Sequence, residues 1–85
     1  MNKRMKPARA LQLVRRVARK RGLYVVELPG RGKGSHHMYA LVDPADREVD
    51  RFGLTDHPGD LSWTVLRRLE ERLAPVLGDK WTEER

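Results

Sequence analysis

Apolar residues return every three to four positions in PARALQLVRRVARKRG, residues 7–22. At 100° per residue, Ala10, Leu11, Leu13, Val14, Val17 and Ala18 fall within one arc of about 160°. Arg9, Gln12, Arg15, Arg16 and Arg19 occupy most of the opposite arc. Pro7 suits a first helical turn and Gly22 a C-terminal cap, so the spacing predicts a helix with an apolar inner face and a basic outer one. The period then changes. LYVVEL (23–28) is rich in β-branched and aromatic residues and too short for a helix, so it reads as a strand. PGRGKG (29–34) is a loop, SHHMYALV (35–42) a second strand, DPADRE (43–48) a turn, VDRFGLT (49–55) a short third strand and DHPGD (56–60) another turn. Helical spacing resumes over 62–74, where Leu66, Leu69 and Leu73 share a face with Val65 beside them. Asp60 or Ser62 supplies the N-cap, and Pro75 is expected to end or kink this helix, with Val76 and Leu77 packing for one more turn before Gly78.

The element order is therefore α-β-β-β-α, an α+β chain. Short connections favour a three-stranded antiparallel meander, and two helices with single apolar faces belong on one face of it. The second strand is apolar on both parities: Met38, Ala40 and Val42 on one, Tyr39 and Leu41 on the other. Its own pattern leaves open which set meets the helices. Either choice leaves apolar groups on the uncovered face, which hints at a protein partner. At 85 residues the chain is expected to form one domain, with a core over about 8–77 and a frayed tail over 78–85, although Trp81 could dock.

Charge sharpens the picture. The net charge is +6, unevenly spread. Residues 1–22 carry nine Lys or Arg and no acid, whereas residues 43–85 carry seven basic and eleven acidic residues. A positive field concentrated at one end suits a phosphate-rich partner; a solvated basic helix is the blander reading. With no cysteine there is neither a disulfide nor a Cys-based zinc site. No apolar run approaches the roughly 20 residues of a membrane span, and no apolar stretch follows the basic N-terminus as in a signal peptide, so a cytoplasmic protein is expected.

The chemistry-bearing residues cluster in GRGKGSHH, residues 30–37. The loop is not a Walker loop: the positions five and six after Gly30 hold Ser35 and His36 where Gly and Lys are required. The dinucleotide fingerprint fails as well, because Ser35 stands where its last Gly or Ala belongs and a strand follows. The glycines instead give backbone freedom that lets Arg31 and Lys33 approach a phosphate chain closely. A flexible hairpin loop remains the plain alternative. Adjacent His36 and His37 on a strand point to opposite faces, so they do not readily share a metal, and no metal cofactor is expected. Acid–base chemistry fits better: a histidine beside Arg31 and Lys33 can act on an RNA 2′-OH or leaving oxygen while the cations steady charge developing on phosphorus. His57, in HPG, is a turn histidine with a possible auxiliary role. Trp63 and Trp81 could stack on bases, but packing on the core or its edge is the expectation.

Four features fall in this order of elements: Gly34-Ser35-His36 opening the second strand, Tyr39 three positions on, the His57-Pro58-Gly59 turn, and Leu66-Arg67-Arg68-Leu69 in the last helix. In these the chain resembles the HicA family of toxin ribonucleases. The resemblance spans roughly residues 8–77. It implies an α-β-β-β-α fold similar to a double-stranded RNA-binding domain. It also implies metal-independent RNA cleavage, with His36 catalytic and Gly34 and Ser35 shaping the loop and holding the phosphate, and inhibition by a HicB-type antitoxin. His37 inherits no role. The loop PGRGKG and the turn DPADRE are longer than usual for the family, and Thr55-Asp56 replaces a proline that often precedes its HPG turn.

Two readings follow. In the first, the chain is a metal-independent endoribonuclease toxin, monomeric when free, in which His36 moves the proton and Arg31, Lys33, Arg15, Arg16 and Arg19 bind RNA. The second acid–base group is left open between His57 and Ser35. In the alternative, a non-catalytic RNA-binding module uses the same basic residues to hold the phosphate backbone.

Overall fold

The computed structural model describes residues 5–29, 36–55, 59 and 61–83. Helix α1 spans Pro7–Lys20, strand β1 Tyr24–Glu27, β2 His36–Val42, β3 Glu48–Thr55 and helix α2 Trp63–Leu77, followed by a single 3-10 turn over Trp81–Glu83. The strands form an antiparallel sheet in the order β1-β2-β3. This is the expected α-β-β-β-α layout with two helices.

Pro7 starts α1 where an amide hydrogen is dispensable. Gly22, at φ 75°, ends it: the Leu23 amide donates to Ala18 O at 2.8 Å and the Gly22 amide to Arg19 O at 3.0 Å. Ala10, Leu13, Val14, Val17 and Ala18 are buried, as the apolar arc requires. In the sheet the helices settle what β2 left open. Tyr39 and Leu41 join Phe52 and Leu54 in the core with α1 and α2, and the Tyr39 and Phe52 rings stack at 5.3 Å between centroids. Met38, Ala40 and Val42 take the other face, with Tyr24, Val26 and Arg51 beside them by register. A bulge between Leu41 and Val42 shifts the β2–β3 register at the hairpin end.

Helix α2 departs from expectation. Ser62 caps it, its Oγ accepting from the Val65 amide at 3.2 Å. It then runs unbroken through Pro75 to Leu77. Pro75 is exposed, so the carbonyl that lost its donor can be solvated, while Leu77 one half-turn on is fully buried and holds the last turn down. Arg21 donates its Nε–H to Leu77 O at 3.1 Å, closing the C-terminus of α2 from the end of α1. Val65, expected beside the apolar stripe, is 43% exposed.

The tail does not fray over its described part. Gly78 (φ 99°) and Lys80 (φ 54°) turn the chain back, and Trp81 becomes one of the most buried side chains, donating its Nε1–H to Glu70 O at 3.0 Å. Thr82 donates to the Glu70 carboxylate. Residues 84 and 85 lie outside the described residues.

Candidate active site

Alternation along β2 separates the two neighbouring histidines. His36 faces the uncovered side of the sheet and His37 the side under α1. Each has its own surroundings.

The His36 imidazole lies over Gly53. A Cβ placed on Gly53 would stand 2.9 Å from both Cε1 and Nε2 of the ring and 3.0 Å from Met38 Sδ. The absent side chain is therefore what admits the ring. The strand register sets Thr55 opposite His36, and Thr55 Oγ1 lies 3.4 Å from His36 Nδ1, a long contact that leaves Nε2 as the nitrogen above Gly53. His36 is exposed. It sits at the rim of a cleft of about 570 Å³ between β3 and α2, whose walls include Thr55, Val65, Arg68 and Arg72. Arg72 is held in place by Asp50 at 3.1 Å and by Arg51 O at 3.3 Å. Among the described residues lining the cleft, His36 is the only histidine and none is a carboxylate.

His37 pairs with Glu27, Nδ1 to Oε2 at 3.2 Å. The pair borders a separate cavity of about 280 Å³ formed with Pro7, Ala8, Leu11, Tyr39 and Leu54. The sheet stands between this pair and the His36 ring, so His37 does not serve as its acid–base partner. Among the described residues, no group of three or more His, Asp or Glu side chains could hold a metal ion.

The basic residues of α1 are brought together, but not to His36. Arg15, Arg16 and Arg19, with Gln12 and Lys20, line a shallow groove of about 440 Å³ on the outer face of α1. That face points away from the sheet, whereas His36 lies on the sheet's far side. Arg15 is partly committed to the fold, donating to Val25 O at 3.2 Å on the β1 edge. Arg31, Lys33, Gly34, Ser35 and His57 lie outside the described residues.

The sequence reading missed Gly53, Thr55, Arg68 and Arg72. Gly53 carries a detectable signal, an isolated glycine within a strand pattern, which often marks a close approach of another group. The others become visible only once β3 is registered against β2 and α2 is set beside β3. Trp63 also differs from expectation: it is 45% exposed, with the Arg67 guanidinium 5.3 Å from its ring.

Comparison with protein-family models, curated proteins and solved structures finds no match for this chain. No helix among the described residues is long and apolar enough to cross a membrane.

Proposed function

We propose that the chain is an endoribonuclease toxin of the HicA type that cleaves RNA, mRNA being the natural substrate, and that His36 carries the proton transfer. The observation that supports this most is the seating of His36: an exposed imidazole, packed over a glycine and set at the rim of a cleft with two arginines on its wall. In this reading the ring takes the proton from the 2′-OH, or gives one to the departing 5′ oxygen. The 2′ oxygen attacks phosphorus, the bond from phosphorus to the 5′ oxygen breaks, and the products are a 2′,3′-cyclic phosphate and a 5′-hydroxyl. Guanidinium groups near the phosphate offset the charge that builds on its oxygens. Ser35, His57 or a water molecule supplies the second proton transfer. The cytoplasm is the expected compartment and a HicB-type protein the expected inhibitor, covering the apolar open face formed around Tyr24, Val26 and Val49, each more than 40% exposed.

A non-catalytic RNA-binding module is the second reading. What favours it is the separation of His37 from His36, which leaves the described part of the cleft with one acid–base group.

Incubating the protein with a mixed RNA pool in EDTA decides between them. The parent and His37→Ala proteins are expected to cleave and leave cyclic phosphates, while His36→Ala loses at least about 100-fold in rate. RNA bound but left intact by the parent establishes the binding module instead.

A further inference from the structure

The cleft between β3 and α2, which His36 borders, is built from residues far apart in the sequence. Its α2 wall is built by spacing. Leu61, Val65, Arg68, Leu69 and Arg72 recur at three- and four-residue intervals and so line one side of the helix and its approach. Its β3 wall is Phe52 to Thr55. The volume, about 570 Å³, falls in the range of roughly 300–1,000 Å³ typical of clefts that bury a small molecule.

The two arginines differ. Arg72 is engaged by Asp50 and by the Arg51 carbonyl, so it braces α2 against the β3 edge. Arg68, one turn earlier, is exposed and makes no ion pair or hydrogen bond among the described residues. No carboxylate is among the described residues that line the cleft. An exposed valine, an unengaged guanidinium and a histidine thus meet in one cleft. Apolar surface suits the flat face of a base or the carbon side of a ribose, and a guanidinium suits a phosphate.

We infer that this cleft seats the single-stranded RNA nucleotide next to the phosphate at His36, with Arg68 binding that nucleotide's phosphate and Val65 flanking its base. A single strand is specified because an unstacked base can enter a cleft that a paired one cannot. The inference rests on His36 acting at the scissile phosphate, but its test does not require cleavage.

The probe is a short 5′-fluorescein-labelled single-stranded RNA of mixed sequence carrying 4-thiouridine, bound to the His36→Ala protein. Adding Arg68→Gln is expected to weaken binding about tenfold or more, the loss of one charge-assisted contact, and to lower the salt dependence of log K by about 0.7. Arg68→Lys recovers part of the affinity. Val65→Glu, at a position already exposed, weakens binding by placing a carboxylate beside the phosphate, and thermal melts show both proteins folded. Photo-crosslinks fall in residues 52–55 and 61–72. Crosslinks confined to α1, unchanged binding by Arg68→Gln, or no RNA binding at all would overturn the inference. So would an oligo-glutamate peptide that binds with the same Arg68 dependence and displaces the RNA, since the cleft would then be an acidic-protein site. If the parent protein cleaves nothing yet binding still depends on Arg68, the ribonuclease reading fails and the cleft assignment stands.

Discussion

Gly53 acts by what it lacks. The His36 ring occupies the volume that a Cβ would take, so the position of the imidazole depends on a neighbour with no side chain of its own. Gly53→Val is therefore expected to turn the ring away. The ring is exposed and free to move, so the thermal midpoint changes little while RNA cleavage falls about tenfold or more, with affinity for RNA nearly kept. Equal losses of stability and activity would show that Gly53 serves the strand instead. Asp43 is a second residue whose role is read from its contacts. Its Oδ1 accepts from the Ala45 and Arg47 amides, each at 2.9 Å, and so shapes the turn between β2 and β3 in which Asp46 adopts φ 62°. The Arg47 amide first, and then the Ala45 amide and the Arg47 charge, outweigh desolvation and hold the carboxyl below its ordinary value of 3.8. A depressed carboxyl contributes stability that is complete above 3.8 and is lost as pH falls through the folded-state value. Asp43→Ala should thus lower the denaturation midpoint at neutral pH, and the difference from the parent should shrink as the pH drops below 3.8. A difference that persists undiminished in acid would assign the effect to the turn backbone.

The elements depend on each other at their ends and edges. Arg21 closes α2 from the end of α1, and the turn after α2 returns Trp81 to the core. Trp81 and α2 thus form one unit, joined by the Nε1–H bond to Glu70 O. Trp81→Ala is expected to cost about 3–5 kcal/mol in chemical denaturation, as for other fully buried large side chains. A cost below about 1 kcal/mol would mean that the tail is dispensable. Both sheet edges carry an arginine on an outward carbonyl, Arg15 on Val25 O and Arg72 on Arg51 O. These contacts occupy acceptors that an added strand would need, and they keep a three-stranded sheet from extending.

Across the whole molecule, two positive regions lie apart. The groove on α1 lies on the helical face and the His36 ring on the open face, while the β3–α2 cleft opens at the β3 edge with His36 at its rim. An RNA that uses both must pass around an edge of the sheet. Replacing Arg16 and Arg19 by Gln should therefore weaken binding of a long RNA and reduce its salt dependence, while binding of a short RNA and the cleavage rate at saturation stay within about twofold. Loss of short-RNA binding in that variant would place the substrate on α1.

The sequence by itself determined what short-range physics controls. The period of apolar residues set the helices and strands, Gly22 marked the end of α1, and the strand alternation divided His36 from His37; the choice of Ser62 over Asp60 as the cap of α2 came from the structure. It also showed the charge asymmetry. It did not determine which parity of β2 is inside, because Met38, Ala40 and Val42 are as apolar as Tyr39 and Leu41; that was decided by α1 and α2 offering their leucines and valines to one face. Nor did it pass Pro75 into a helix, since the buried Leu77 that holds the last turn acts through tertiary contact. Above all, the seat of His36 belongs to the tertiary structure. Gly53 and Thr55 stand seventeen and nineteen positions along the chain from it, Arg68 and Arg72 further still, and only strand register and helix packing, which carry no local signature, bring them to one place.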